Sequence, residues 1–577
     1  MRPMLPRGPR PTTLALFALC AVVAQIAGGE EPVFLESAER LGIDFEHFNG
    51  MVGKLYFPEM AGGGVALFDF DGDGDLDVYL GQGNLFGSDA ADAAVLPSKY
   101  PLPTTDRLYR NDLSSGEPST LSFTDATEAA GLAAQGYNMG AIAGDLDDDG
   151  DVDLYVTNIG QNHLLRNDGG RFTDVTAEAK AGDERWTVAA SLIDFDRDGR
   201  LDLFLGNYVE FRMALHKDCT SSTGAVDYCG PLSYAAQGNR LLRNLGEMRF
   251  ESVTAKALSG NPAATTLGTV VGDFDSNGWP DLYVANDQVP NHLWMNQGDG
   301  TFLEDALFAG AAVDSQGQPQ ASMGVVAGDL DGDGHEDLFM THLRMEMNMI
   351  YINDGSGLFT DKALPSGLGR SSFPFTGFGA ALFDYDNDGV LDLYVSNGAV
   401  KRNPEQVRLG RPLALEQTNQ LFRGSGGGSF TEIEGEARID AVYSEVSRGV
   451  AVGDLDNDGD SDLVVTNNGG KVRVLLNQVG SKSRWLGVRL TLPGSGRDAL
   501  GARVSLAREG LPTLHRRVRT DGSYVSSHDP RVLFGLGDSE PKSLEVIWPD
   551  GSAEVFGADR LPVGQYVTLV QGSGTAK

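Results

Sequence analysis

Five aspartates, Asp69, Asp71, Asp73, Asp75 and Asp77, stand at alternate positions of a nine-residue segment, and six further segments repeat the spacing. These carry Asp145, Asp147, Asp149, Asp151 and Asp153; Asp194, Asp196, Asp198, Arg200 and Asp202; Asp273, Asp275, Asn277, Trp279 and Asp281; Asp329, Asp331, Asp333, His335 and Asp337; Asp384, Asp386, Asp388, Val390 and Asp392; and Asp454, Asp456, Asp458, Asp460 and Asp462. Positions 1, 3 and 9 are aspartate in every copy, position 5 is aspartate except at Asn277, and position 6 is always glycine. Carboxylates this close repel one another when partly desolvated, so a cation is expected among them. Oxygen donors at alternate positions around a glycine turn suit Ca²⁺, whereas Mg²⁺ demands a stricter octahedron and zinc calls for His or Cys. Position 7 accepts Asp, Arg, Trp, His or Val, so the ligand there is predicted to be the backbone carbonyl. Up to seven Ca²⁺ ions, one per loop, are expected in a structural role.

An EF-hand would place a bidentate Glu at loop position 12. Those positions are Leu80, Val156, Leu205, Val284, Met340, Val395 and Val465, all apolar and inside strand-like runs, which excludes that reading. The alternative for one loop alone is a polar hairpin turn; seven with matched donors favour the metal. Outside the loops there is no independent acid–base pair, no Ser-His-Asp order and no HExxH, so no catalytic residue is predicted. His163 and His292 belong to a recurring strand unit and read as structural. The stretch "GQGNLFG" (Gly81–Gly87) lacks the glycine spacing and following helix of a nucleotide loop, and no residue is predicted to bind an organic cofactor.

The elements that would position these loops recur with them. Each loop follows a run of small and aliphatic residues and precedes a short β-type run such as "LYV". Two more units return once per period, typified by "NHLLRN" (Asn162–Asn167) and "FTDVT" (Phe172–Thr176). Four short strands per period make one β-propeller blade, and spacings of roughly 50 to 80 residues suit blades with insertions better than a tight solenoid. The last loop is followed by "VRVLLN" but by no Phe unit, while an orphan unit, "FLESA" from Phe34, lies near the N-terminal end. That strand is predicted to complete the seventh blade and close the ring, which removes open sheet edges.

The chain has 577 residues, 75 of them glycine, with a formal charge of −36. Such acidity disfavours nucleic acid and anionic membranes and favours cations. Arg2, Arg7 and Arg10 precede an apolar run from Leu14 to Ala27, and Ala27-Gly28-Gly29 offers a cleavage site; this reads as an export signal over residues 1–29. A membrane anchor would need a longer run, and Leu19 before Cys20 is too bulky for a lipoprotein box. Cys219 and Cys229 are then expected to form a disulfide in an oxidising compartment, worth about 2–3 kcal/mol.

The units of type "GDLDDDGDVDLYV" resemble FG-GAP (VCBS-type) repeats, the integrin-α-type blade, over residues 34–478. From Ser481 the composition shifts to 13 basic against 10 acidic residues. The motifs "RDALGARV" (Arg497–Val504), "GSYVSSHDPRVLFGLG" (Gly522–Gly537) and "VIWPDG" (Val546–Gly551) there resemble the ASPIC/UnbV domain, which follows FG-GAP repeats in secreted cartilage-acidic-protein-like proteins. Its arginines read mostly as solvated, the alternatives being docking on the acidic propeller or a site for acidic glycans. The expected fold is all-β: a seven-bladed propeller with calcium loops over 30–480, a small β-sandwich-like domain over 481–571, and a tail over 572–577.

The aspartate loops and the turns between third and fourth strands share one side of such a disc. Long insertions, Gly83–Thr105, Tyr208–Gly238 and Gly398–Thr418, fall on the other, with Phe48, Tyr56, Phe57, Tyr137, Trp186, Tyr208, Phe211, Tyr228, Phe373 and Phe375. That side is the expected ligand face, although some of these rings are expected to fill the channel instead. The function expected is a secreted or periplasmic calcium-binding adhesion or scaffold module for an extracellular protein or glycan, without nucleic acid or membrane insertion. The alternative is an extracellular polysaccharide lyase or hydrolase on the same scaffold.

Overall fold

Short runs rich in Val, Leu, Tyr and Phe become strands here because both of their faces are covered. In the second blade the strands are Asn138–Gly144, Asp153–Asn158, His163–Asn167 and Phe172–Asp174. Every residue of the first two is buried, since neighbouring blades stack on either side, while Thr173 and Asp174 of the outermost strand face solvent. The inner strands therefore read as continuous apolar runs rather than as alternating ones. The computed structural model describes residues 32–577 apart from 88–92, 114–119, 133, 135, 222–223 and 435–442. The expected export signal, 1–29, lies outside the described residues.

Among the described residues, seven antiparallel sheets share this four-strand order. Their first strands begin at Val65, Asn138, Thr187, Thr266, Val325, Gly377 and Ser447; each touches the next, and the last returns to the first. The fold is an all-β propeller. In the seventh blade the outermost strand is Phe34–Glu36, antiparallel to Arg473–Asn477 with Phe34 opposite Asn477, so residues from opposite ends of the ring share one sheet.

Residues 484–576 form two further sheets. One holds Arg484–Thr491 between Val532–Gly537 and Tyr566–Val570; the other runs Leu514–Arg517, Arg503–Arg508, Pro541–Ile547, Ala553–Gly557 and Thr575–Ala576. Leu486, Phe534, Leu544, Trp548 and Phe556 are buried between them. The expected tail over 572–577 is corrected by this arrangement: Thr575 and Ala576 pair with Val555 and Glu554, a strand too short to show a pattern.

This domain lies across the aspartate-loop side and sends residues 520–530 into the propeller's channel. Ser526–Ser527 pair in parallel with Val65–Ala66 as a fifth strand of the first blade. Ser523 bridges Val325, and the Tyr524 ring is fully buried 4.9 Å from that of Phe378. Glycine in the first strands makes this possible. A Cβ on Gly140 would lie 2.9 Å from the Val525 Cα, and one on Gly449 2.9 Å from the Ser526 Oγ.

The opposite end of the channel is filled by aromatics. Tyr56, Phe57, Tyr137, Trp186, Tyr208 and Tyr228 join Tyr524 and Val525 in one core cluster, with Phe57 stacked 5.7 Å from Tyr208. Phe48 is buried as well, and Phe211 packs against the cluster. These rings are thus removed from the expected ligand face, because a wide ring needs bulky side chains to fill its axis. Phe375 is half-buried, and Phe373 stays 43% exposed. The insertion at Tyr208–Gly238 is pinned by the Cys219–Cys229 disulfide, across the small hairpin of Cys219–Thr220 and Val226–Asp227.

Candidate metal centre

Each aspartate loop joins the first strand of a blade to the second and is held by the same bonds. In the second blade, Asp145 at position 1 accepts the N–H groups of Asp148, Asp149 and Gly150, and Asp149 at position 5 accepts that of Asp151. Asp153 at position 9 starts the second strand; its Oδ2 accepts from Leu146 N–H and its Oδ1 from Asn167 N–H, both at 2.8 Å. Bonds from position 6 to position 1 and from position 7 to position 5 recur in all seven loops. So do both bonds to position 9. The position-6 glycines have φ between 87° and 100°, which a side chain would strain.

This frame gathers carboxylates. Ligand oxygens of Asp69, Asp71 and Asp77 lie within 4.8 Å of one another, as do those of Asp145, Asp147 and Asp153, of Asp194, Asp196 and Asp202, and of Asp273, Asp275 and Asp281. In the fifth loop the trio is Asp329, Asp331 and Asp333. Burial, reinforced by the neighbouring aspartates, pushes Asp77 and Asp337 up to about 8 and Asp153 and Asp202 up to about 9. Burial likewise raises Asp281, Asp392 and Asp462 well above the ordinary carboxylate range. At position 3, Oδ1 of Asp147, Asp196 and Asp386 is buried with no hydrogen-bond partner. Buried acceptors without donors, among carboxylates that resist ionising alone, fit a cation bound by oxygen.

Side chains at position 7 turn to other partners. Asp75 accepts from Asn457 Nδ2, Asp151 from Gly169 N–H and Asp460 from Ser481 N–H, while Trp279 lies under the Arg197 guanidinium at 4.4 Å. Arg200 donates to Asn244 O, His335 approaches Ser276 Oγ at 3.4 Å and the Val390 Cγ1 abuts Gly424. Three loops have an arginine beside a ligand: Arg243 Nε lies 2.6 Å from Asp196 Oδ2, Arg423 Nη2 2.6 Å from Asp386 Oδ2, and Arg503 Nη1 2.7 Å from Asp273 Oδ2.

Two sets of residues at these loops escaped sequence reasoning. The first is the asparagine ending each third strand. Besides the bond to position 9, Asn167 Nδ2 donates to Phe70 O of the preceding blade, and Asn111, Asn244, Asn296, Asn353 and Asn477 repeat this at 2.8–2.9 Å. Gly424 breaks the series, and there Gly428 N–H reaches Leu330 O instead. The asparagine recurs visibly in the "RN" unit, but its partner lies in another repeat. The second set belongs to the C-terminal domain. Tyr566 OH donates to Asp454 Oδ2 at 2.9 Å, Arg531 to Asp454 O at 2.8 Å, and Arg503 pairs with Asp273 at 2.7 Å. Arg517 and Arg519 share Glu336, and Arg497 donates to Gly199 O. These arginines line an interface rather than a solvated face, since the loops present carboxylates and carbonyls to them.

Residues 145–205, 273–340, 329–395 and 413–465 match FG-GAP-like repeats, and residues 492–576 match ASPIC and UnbV. The chain carries FG-GAP-like repeats followed by an ASPIC and UnbV domain. Cartilage acidic protein 1 of Xenopus tropicalis is 30% identical over 310 residues, covering 52% of this chain and 44% of that one. The human protein of the same name is 31% identical over 292 residues, covering 49% and 41%. The chain spans less than half the length of these curated relatives. Among solved structures, an Agrocybe aegerita lectin described as recognising non-reducing terminal N-acetylglucosamine overlaps at a TM-score of 0.37 and 16% identity, covering 73% of this chain and 92% of that one. BBS1N in complex with ARL6DN overlaps at 0.36 and 9%, covering 78% and 98%. In this FG-GAP chain, the loops at Asp145, Asp194, Asp273, Asp329, Asp384 and Asp454 fall wholly or partly within the matched repeats.

Proposed function

We propose that the protein is an exported, calcium-binding propeller that serves as an adhesion or scaffold module toward an extracellular protein or glycan. The observation that carries the calcium reading is the buried, partnerless position-3 oxygen of three loops, at Asp147, Asp196 and Asp386, within a sevenfold repeated frame that gathers carboxylates. Positions 1, 3 and 9, with position 5 where it is acidic, would hold the ion. Bound Ca²⁺ supplies charge neutralisation and a link between the first and second strands of a blade. The protein's own part is to fix the carboxylates through backbone N–H groups and to keep position 9 out of water.

Export is supported by the Cys219–Cys229 disulfide, which persists in oxidising compartments. Among the described residues no helix is long and apolar enough to cross a membrane. The C-terminal domain covers the aspartate-loop side, so the insertion side is the disc face left for a partner. There Met213, Leu215, Val226, Leu232, Val407 and Leu409 are exposed apolar side chains on two insertions. Glycan-array and pull-down assays with the calcium-loaded chain test the proposal. Saturable binding weakened at least tenfold by Leu232→Asp with Leu409→Asp, at unchanged melting temperature, is expected. Turnover of a polysaccharide in the same screen would replace this reading with the enzymatic one.

A further inference from the structure

Between the ASPIC and UnbV domain and the propeller a cavity of about 380 Å³ remains, within the range of small-molecule sites. It lies under the fifth, sixth and seventh blades and is roofed by strands Arg503–Arg508 and Leu514–Arg517 and by residues 519–533. In a chain of charge −36, its wall concentrates Arg503, Arg516, Arg517, Arg519 and Arg531.

The acids around it are already engaged. Glu336 takes Arg517 and Arg519, Asp529 takes Arg531, and Asp521 accepts the Val271 N–H at 2.7 Å. Asp329, Asp384 and Asp454 accept N–H groups of their own loops. Donors, in contrast, are left over. Arg519 Nη1 is buried without a partner. His528 is 7% exposed; its Nδ1 accepts the Val452 N–H, which leaves the ring proton on Nε2. Among the described residues that Nε2–H has no acceptor, and the His528 N–H bond to Thr520 O holds the ring beside Arg519. Arg516 reaches His515 O at 2.9 Å but Gly389 O only at 3.4 Å.

We propose that this cavity binds a small oxyanion, the group shared by sulfate, phosphate and carboxylate ligands, through His528 Nε2–H, Arg519 and Arg516. A buried donor without an acceptor, as Arg519 Nη1 is, is costly, and one oxyanion satisfies several neighbouring donors at once with charge-assisted bonds. None of the three donors is a residue of an aspartate loop, but Asp329, Asp384 and Asp454 of those loops also line the cavity, so the test is made with calcium present.

Isothermal titration of the full chain in calcium buffer at constant ionic strength provides the test, with sulfate and acetate as separate arms that distinguish tetrahedral from planar anions. Saturable binding of one anion per chain is expected in at least one arm. His528→Asn keeps an acceptor for the Val452 N–H but removes the inward donor, and should weaken binding on the order of tenfold. Arg516→Gln should weaken it similarly and decides the matter if His528→Asn fails to fold. No saturable heat in either arm at tens of millimolar anion would overturn the proposal, as would equal affinity in wild type and a folded variant.

Discussion

Asp153 shows what one side chain contributes to a blade. Its two oxygens hold Leu146 N–H and Asn167 N–H, joining the loop, the second strand and the third. Asp153→Asn would turn an amide N–H toward one of those donors and, in the calcium-loaded chain, remove a charge from the cluster. It should cost about 2–3 kcal/mol in denaturant unfolding and lower the calcium stoichiometry by one. The raised position-9 carboxyls also set a pH signature. Without metal, Asp77, Asp153, Asp202 and Asp337 in the folded chain keep protons up to about 8, 9, 9 and 8, whereas unfolded aspartate releases them near pH 4. Protons therefore favour the folded form, fully so below about pH 4, and that stabilisation is lost as pH rises through about 8–9. Calcium requires the ionised form, so its affinity should climb over the same interval. Melting curves of stripped and calcium-loaded protein between pH 5 and 9 should diverge, the stripped curve falling; parallel curves would speak against metal at these carboxylates.

Among the elements, the blade-bridging asparagines matter most. Removing Asn167 leaves Phe70 O and Val152 O without their donor, so Asn167→Ala should destabilise by about 2 kcal/mol. A loss no greater than that of an exposed substitution would show that the bridge is dispensable. Much at this scale was legible. The β-type run after every loop is a strand, and the orphan Phe34 unit is the outermost strand of the last blade. Each needs only neighbours within one repeat, or a mismatch in the count of units. Residues 520–530 were not legible, because the segment lies in a channel and has no alternating pattern. The small residues that make room for it, Gly140 and Gly449 among them, resemble any strand glycine until their partner is known. The aromatics of the insertions were recognised as a group, but burial at the axis and exposure on a face share one composition.

At the scale of the whole molecule, one chain segment closes the ring and another joins it to the cap. Phe34–Glu36 closes the seventh blade, and residues 520–530 add a strand to the first while occupying the channel. A chain ending before Ser481 would leave the glycine-lined channel wet and the Glu336 carboxylate, held near 2 by Arg517 and Arg519, without its arginines. It should melt well below the full chain and bind a hydrophobic dye. The aspartate loops and the cap are coupled in this arrangement, because Asp454 and Asp273 of the loops bond to Tyr566 and Arg503 of the C-terminal domain. The most direct test of the central claim is elemental analysis of the full chain after dialysis against millimolar calcium, paired with its melt before and after chelation. The account predicts close to seven Ca²⁺ per chain and a large fall in melting temperature on their removal. Less than one Ca²⁺ per chain with an unchanged melt would contradict it.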